Sequence, residues 1–242
     1  MDPYPPMPDS STDAPRRSRR KEARPGELLE AALSLFLEKG YAATRVEAVA
    51  ARAGVSKGTL FLYFPSKEEL FKAVVRHSIS GCYADWQLEL DRYQGSSAAL
   101  LARAFEVWWQ QIASTQAGGI CRLMWAEAAH FPELAAFYRH EVDEPGHAML
   151  ERILQRGMDS GEFRPMPLGE ALYLVLTPMT FVMLWQPTGT LCLPMDHGLT
   201  PHSYLLSQFR NCLRGLLREP VDADTLPLPQ LHPTLPLHTT DI

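Results

Sequence analysis

The chain has 242 residues, and 46% of them are apolar, enough to bury a sizeable core in two domains or in one domain with a small module attached. The net charge of −5 is unusual for a nucleic-acid binder, but it is unevenly spread. Residues 16–80 carry 13 Lys or Arg against 7 Asp or Glu, a net +6, whereas residues 81–242 carry 10 against 18, a net −8. A basic module on an acidic body concentrates attraction for phosphate on one face, so a nucleic-acid partner is not excluded.

Targeting, membrane and metal-type patterns are absent from the sequence. The first 15 residues lack the apolar core of a signal peptide, and the most apolar stretch, 171–185, is too short to span a bilayer. We therefore expect a soluble, cytoplasmic protein without a membrane partner. The cysteines lack the C-x-x-C pairing of zinc or redox sites and are interpreted as free thiols, with a redox sensor as the alternative. They are Cys82, Cys121, Cys192 and Cys212.

The chain opens with a segment, residues 1–24, that is predicted to be a disordered, basic arm. Pro, Ser and Asp dominate its first 15 residues, and a run of Arg and Lys follows. Such a run is usually a solvated tail, but it can also lie along phosphates or in a minor groove. Pro25 suits the first turn of a helix and Gly40 suits its end, so the first helix is expected between them.

The most informative stretch is residues 44–67, TRVEAVAARAGVSKGTLFLYFPSK. Thr44 and Glu47 have the spacing of a capping box, which predicts a helix beginning just after Thr44. Gly54 is expected to end that helix, because the residue past a helix end often needs a positive φ, which glycine adopts readily.

Two further caps follow the glycine. Ser56 is predicted to cap a second helix that stops before Pro65, and Ser66 to open a third helix. A helix, a short glycine turn and a helix form the helix-turn-helix, whose second helix enters the DNA major groove. An ordinary helical hairpin is the alternative interpretation.

The pattern then stays helical to about residue 218, without strand patterns or internal repeats. We expect breaks at residues 94–97 and 118–119, a long helix from Pro132 that is kinked at Pro145, and a loop over residues 187–201. The proline-rich end of the chain is expected to be an extended coil.

Residues 28–75 resemble the TetR/AcrR-type transcriptional regulators through the segments GYAAT, AGVSKGTL and YFPSKEELF. Residues 120–185, with AEAAHFPEL and RGMDSGEF, are more loosely similar to the ligand domain of one branch. The resemblance implies an all-α homodimer. Each subunit has an N-terminal three-helix helix-turn-helix DNA-binding domain and a larger C-terminal α-helical ligand-binding and dimerisation domain.

Applied to this chain, the resemblance places the DNA-binding domain at 25–66, the effector-binding and dimerisation domain at 67–219, and a proline-rich tail at 220–242. It implies a repressor that a small, largely apolar effector releases from a palindromic double-stranded DNA operator. An activator on the same fold is one alternative. A sensor or scaffold acting through protein partners, suggested by the tail, is another.

The resemblance also implies which residues contact DNA. Thr44, Arg45, Tyr63 and Lys67 are expected on backbone phosphates. The residues expected at the groove are Ser56, Lys57, Gly58, Thr59, Phe61 and Leu62.

Two of these positions differ from many relatives, because Phe61 and Leu62 cannot donate a hydrogen bond. Base reading would then depend on Lys57 to guanine and on apolar contact with thymine methyl groups. The alternative is that Phe61 and Leu62 belong to the local core.

Aromatic and methionine side chains in the second half suit a large apolar ligand, although plain core is the alternative for each. The candidate ligand-binding residues are Phe105, Trp108, Trp109, Met124, Trp125, Tyr138, Thr177, Met179 and Phe181. The dimer interface is expected on the last two helices as a four-helix bundle, with intramolecular core as the alternative. Its candidate residues are Leu172, Leu176, Leu206, Phe209 and Leu213.

The sequence gives little indication of a metal site or of an enzyme active site. Glu127, His130 and His140 raise the possibility of metal sensing, but nothing makes them converge, so ordinary histidines are expected. No Ser/His/Asp order or paired-carboxylate motif indicates an enzyme, and no cofactor is expected.

Overall fold

A computed structural model describes residues 16–185, 198–219 and 225–232, with the backbone alone for residues 16–24. The described residues form helices and contain no β-strand, apart from an isolated antiparallel bridge between Phe163 and Leu217. The helices are α1 (Arg16–Ala43), α2 (Val46–Arg52), α3 (Lys57–Tyr63), α4 (Lys67–Ser78), α5 (Tyr83–Arg92), α6 (Ser97–Trp108), α7 (Ala117–Glu127), α8 (Pro132–Tyr138), α9 (Glu144–Asp159), α10 (Leu168–Leu184) and α11 (Pro201–Leu216). A 3₁₀ turn lies at Ser80–Cys82, and π-helical turns lie at Trp109–Ala113 and Arg139–Asp143.

Helix α1 is longer than predicted. It begins at Arg16 and passes through Pro25, so the expectation of disorder is wrong for residues 16–24. Arg, Lys, Glu and Ala are strong helix formers, and a proline costs only a local hydrogen bond when flanking turns persist. The predicted break at Gly40 is confirmed, because this glycine has φ +81° and ψ 165°. Residues 1–15 of the predicted arm lie outside the described residues.

The helix-turn-helix is formed by α2 and α3, and most of its predicted caps are confirmed. Gly54 has φ +66°, and the Ser56 and Ser66 hydroxyls accept hydrogen bonds from the backbone N–H groups three residues later. The capping box at Thr44 is wrong. Arg45 occupies the N-cap position of α2, and the Thr44 hydroxyl instead lies 2.7 Å from the Gly40 carbonyl oxygen at the end of α1.

One hydrophobic core joins the first three helices to the rest of the chain. An aromatic cluster at its centre consists of Phe36, Tyr41, Phe71 and Phe131, with ring centroids 4.8–5.7 Å apart in successive pairs. Buried residues of α7 and α8 continue the same core. The domain boundary predicted near residue 66 therefore does not coincide with a gap in packing.

A second core lies between α6, α9, α10 and α11, and it includes much of the predicted dimer interface. Leu172, Phe209 and Leu213 are 6%, 0% and 0% exposed within a single chain. The interface prediction is wrong for these three residues, because a helix that is apolar nearly all round can bury the same side chain against its own subunit. Leu176 and Leu206 are half-buried at the edge of this core.

Two sequence signals for breaks have other roles in the structure. Gly118 and Gly119 lie inside α7, and a Cβ added to Gly119 would come within 2.7 Å of the Leu37 side chain, so glycine permits close packing there. The irregularity predicted at Pro145 takes the form of the π-helical turn Arg139–Asp143, after which Pro145 occupies the first turn of α9. Proline is tolerated in a first turn because its missing N–H has no partner there.

Part of the proline-rich tail packs against the body. In residues 225–232, Leu226 and Leu231 are each 6% exposed in the second core. The Trp109 indole donates a hydrogen bond of 2.9 Å to the His232 carbonyl oxygen. Residues 225–232 are non-helical, as expected for a coil, but they pack against the second core. Cys192, most of the predicted loop 187–201, and residues 220–224 and 233–242 of the tail lie outside the described residues.

Candidate nucleic-acid interface and ligand cavity

Most predicted DNA-contacting residues lie together on the surface of α3 and at the start of α2. Arg45, Ser56, Lys57 and Gly58 are exposed, and Thr59 is half-exposed with its hydroxyl 2.9 Å from that of Ser56. This surface therefore combines two cations with backbone N–H groups at a helix start, a combination that suits phosphate and base edges.

The apolar side chains of α3 point outwards. Leu62 is 85% exposed, Phe61 38% and Tyr63 37%, whereas Leu60 on the opposite face is fully buried. The alternative that Phe61 and Leu62 belong to the local core is therefore wrong. Exposed large apolar groups are unusual unless a partner covers them.

Lys57 has an intramolecular partner in the free protein. Its ammonium group lies 2.6 Å from a Glu47 carboxylate oxygen and 5.7 Å from the centre of the Phe61 ring. The hydrogen bond from Lys57 lowers the pKa of Glu47. The pair is exposed, so its contribution to stability is small and it can exchange for a contact outside the chain.

Two predicted phosphate contacts are engaged elsewhere. Thr44 is 2% exposed, so its side chain is not available to DNA. The Lys67 ammonium donates to the carbonyl oxygens of Tyr41, Ala42 and Thr44 at 2.9–3.2 Å, which occupies its three N–H groups. Burial lowers the pKa of Lys67. Both side chains hold the end of α1 against the helices that follow.

An ion pair that the sequence did not reveal fixes α2 on α1. Arg52 forms a bidentate contact with Glu38, and Ser34 donates a 2.8 Å hydrogen bond to the same carboxylate. These hydrogen bonds, that of Arg52 above all, lower the pKa of Glu38 to about 2. The spacing between Glu38 and Arg52 follows no local periodicity, so only the folded chain brings them together.

A cavity of about 640 Å³ lies between helices α5 to α10. Six of the predicted ligand-binding residues line it: Trp108, Trp125, Tyr138, Thr177, Met179 and Phe181. Phe105, Trp109 and Met124 do not. Phe105 packs edge-on against Phe209 in the second core, Trp109 faces the tail, and Met124 is buried in the first core.

The charged groups of the cavity and the Tyr83 hydroxyl were missed by the sequence analysis. Arg103 is paired with Glu89, its Nε lying 2.9 Å from the carboxylate. The Tyr83 hydroxyl donates to the Val142 carbonyl oxygen at 3.1 Å. Asp143 also lines the wall, and nothing in the sequence marks it, because a single acidic residue in a helical segment is usually solvated.

Cys121 is a further lining residue. The Tyr138 hydroxyl donates a hydrogen bond of 2.8 Å to the Cys121 sulfur, and burial raises the pKa of this thiol to about 11. A thiol with so high a pKa holds little thiolate, which argues against Cys121 as a redox-sensing residue.

Helix α4 connects the cavity to the helix-turn-helix. Ile79, the residue after α4, lines the cavity and is 1% exposed. Near the same end, Arg76 makes two hydrogen bonds, of 2.9 and 3.3 Å, to Glu141 in the π-helical turn that carries Asp143. One end of α4 thus contacts the cavity wall, and the other is capped by Ser66 next to α3.

The candidate metal-sensing residues do not converge. Within the described parts of the chain, no group of three or more His, Cys, Asp or Glu residues could hold a metal ion. The His140 ring nitrogen lies 3.1 Å from a carboxylate oxygen of Glu144 instead. In the same described residues, no helix has the length and apolarity needed to cross a membrane.

Comparison with known families places these features in context. The pattern of "Bacterial regulatory proteins, tetR family" matches residues 28–74, and that of "Tetracyclin repressor-like, C-terminal domain" matches residues 94–191. Together these segments are more than half of the chain. It belongs to the TetR family. The first TetR-family pattern covers the helix-turn-helix, and the second covers most of the cavity wall.

Individual TetR-family proteins are also similar to this chain. The HTH-type transcriptional regulator RutR of Escherichia coli K12 is 40% identical over 87 residues, which are 36% of this chain but only 39% of RutR. The HTH-type transcriptional repressor KstR2 of Mycolicibacterium smegmatis is 28% identical over 181 residues, 74% of this chain and 87% of KstR2. The structure of the ketosteroid transcriptional regulator KstR2 of Mycobacterium tuberculosis has a TM-score of 0.59 and 25% identity, covering 81% of this chain and 96% of that one.

Proposed function

We propose that this TetR-family chain is a homodimeric, DNA-binding transcriptional repressor that a small, largely apolar effector releases from a palindromic operator. One observation carries the proposal: α3 exposes Lys57, Phe61 and Leu62, while α4, which follows it after three residues, ends at the wall of an apolar cavity. The similarity to RutR and KstR2, named as a transcriptional regulator and repressor, supports the regulatory role.

On DNA, we expect α3 to lie in the major groove. Lys57 exchanges its contact with Glu47 for a guanine edge, and Phe61 and Leu62 contact thymine methyl groups. Arg45 and Tyr63 contact phosphates at the groove margins, together with the N–H groups at the start of α3. These phosphate contacts provide affinity, and the three groove-facing side chains provide sequence preference.

For the dimer, the outer side of α10 is a better candidate than the residues predicted from sequence. Leu174 is 37% exposed beside Gly215 of α11, and an exposed apolar group on a helix suits a partner helix, whereas the exposed Tyr173 and Leu184 line the cavity. A twofold-symmetric dimer places two copies of α3 at the spacing of successive major grooves.

Release by an effector follows from a difference in affinity between two states. A molecule that binds the cavity better in one position of α4 shifts the population towards that position. Because α4 follows α3 after three residues and packs against α1, its displacement changes the distance between the two recognition helices of a dimer. Binding of DNA and of effector then oppose each other by the same coupling free energy.

A mobility-shift titration with DNA flanking the gene tests DNA binding. We expect a salt-sensitive shift that Lys57→Gln weakens, whereas Arg92→Gln, which removes the same charge from the exposed surface of α5, leaves it unchanged. The absence of any sequence-specific shift at low salt would refute the proposal.

A further inference from the structure

The described wall of the cavity carries two carboxylates, those of Glu89 and Asp143, and only one of them is paired. Among the described lining residues, Asp143 is a carboxylate with no hydrogen bond or ion pair, and it makes no capping bond at the start of α9. The other lining carboxylate, Glu89, is held by Arg103. The tyrosine hydroxyls of Tyr83 and Tyr138 each donate to a protein acceptor.

The charge balance of the wall follows from these pairs. Arg103 is shared between Glu89 and Glu106, at 2.9 and 3.3 Å, so it has no spare charge for an anionic ligand. Asp143 therefore places a carboxylate without a salt-bridge partner next to an apolar surface, with His147 and Arg139 nearby. Burial raises the pKa of Asp143, and nearby His147 and Arg139 partly oppose that shift. A half-buried carboxylate of this kind is stabilised by a cation that enters the cavity.

The remaining wall suits the rest of such a molecule. Trp86, Trp108, Trp125 and Phe181 provide aromatic surface, which packs against apolar groups and attracts cations through ring faces. The volume of about 640 Å³ falls within the range of sites that enclose a drug-sized ligand.

We propose that the effector is an amphiphilic cation, an apolar body carrying a protonated amine that forms an ion pair with Asp143. This inference rests on the proposed function of the cavity as the effector site. It excludes fatty acids and other anionic amphiphiles as preferred ligands, because the Asp143 carboxylate would repel their head group.

A matched series of ligands tests the inference on the full chain. Decylamine, decan-1-ol and decanoate share one tail and differ in head-group charge, and their dissociation constants are measured by isothermal titration calorimetry. All three are measured at about pH 8, where the amine is a cation and the carboxylic acid an anion. We expect decylamine to bind about tenfold or more tightly than the other two.

Two variants separate the cavity from the surface. Asp143→Asn should remove the preference for decylamine and leave decan-1-ol within about twofold of the original chain, since uncharged contacts are unaltered. Asp85→Asn removes an exposed carboxylate of α5 outside the cavity and should keep the preference. The comparison of ligands on the unmodified chain does not depend on whether either variant folds.

The outcomes distinguish this inference from the proposed function. If decanoate or decan-1-ol binds the unmodified chain as tightly as decylamine, the ion pair with Asp143 is refuted, but a ligand-binding cavity remains. Persistence of the decylamine preference in Asp143→Asn refutes it equally. If none of the three binds, the cavity is not an effector site for such molecules, and both the inference and the proposed release mechanism fail.

Discussion

At the scale of single residues, the predicted DNA-contacting residues of the helix-turn-helix divide into two sets. Arg45, Lys57 and Leu62 are exposed, whereas Thr44 and Lys67 are hydrogen-bonded to carbonyl oxygens at the end of α1. The amino-acid sequence of the motif does not by itself show which residues are exposed and which are hydrogen-bonded within the chain. Both sets contain polar or charged residues, and the exposed one also contains an apolar leucine, so residue type does not decide which side chains face inwards.

This division predicts different effects for two cations. Arg45→Gln should reduce the slope of log affinity for DNA against log salt by about 0.9, since one phosphate contact is lost, with little change in stability. Lys67→Gln should leave that slope unchanged but lower the melting temperature, because three carbonyl oxygens lose their donor. Binding at several salt concentrations and thermal unfolding of both variants provide the measurements. A reduced slope in Lys67→Gln would show that this lysine contacts phosphate after all.

The low pKa of Glu38 predicts a pH dependence of stability. In the folded chain this pKa is lowered from 4.5 to about 2, so the stabilising contribution is present above pH 4.5 and is lost as the pH falls towards 2. Glu38→Gln should therefore be less stable than the original chain at neutral pH, and the difference should vanish in acid. Urea unfolding between pH 7 and about pH 2 measures this. Glu30→Gln, at an exposed position of α1, is the control and should show no such convergence.

At the scale of secondary structure, capping and glycine signals were sufficient for the end of α2, for α3 and for the start of α4, because they act within a few residues. The predicted breaks and coil were wrong or incomplete where contacts between residues distant in sequence determine the local structure. Gly118 and Gly119 lie within α7 because Leu37 packs there, and the tail is held because Trp109 reaches His232. Hydrophobic periodicity likewise could not tell which side of α10 faces the subunit's own core.

The two sides of α10 and α11 give opposite predictions for mutation. Leu174→Glu, on the outer side, should weaken the dimer by about tenfold or more while the subunit remains folded. Phe209→Ala, in the second core, should cost about 3–5 kcal/mol of unfolding free energy. Analytical ultracentrifugation and urea unfolding measure the two effects. Leu88→Glu, at an exposed leucine of α5, is the control for added charge, and an unchanged dimer in Leu174→Glu would exclude this side of α10 as the interface.

At the scale of the whole molecule, the all-α fold and the family were predictable, because a motif of nearly 50 residues carries both. Six of the nine candidate ligand-binding residues line the cavity, since large apolar and aromatic side chains collect around a cavity as readily as in a core. Asp143 was not predictable. Asp143 matters because no described side chain forms a hydrogen bond or salt bridge with it, and this depends on how all the surrounding helices pack.

The contact between Arg76 and Glu141 predicts how the cavity communicates with DNA. Arg76→Ala should leave the affinity for decylamine within about twofold but raise the concentration that releases DNA about three- to tenfold, because α4 loses a link to the cavity wall. Anisotropy of labelled operator DNA during titration measures release. Arg152→Ala breaks an exposed ion pair between α9 and α5 and should have no such effect. Equal release by both variants would mean that α4 senses the ligand by another route.

The aromatic cluster of Phe36, Tyr41, Phe71 and Phe131 has a consequence for how the protein melts and how it can be engineered. A fragment ending at residue 66 would leave Phe36 and Tyr41 without the rings that cover them, so it should not fold autonomously. The intact chain should unfold in a single cooperative transition when followed by both fluorescence and circular dichroism. A chimera that exchanges sensing specificity between relatives must therefore transplant both sides of this cluster together.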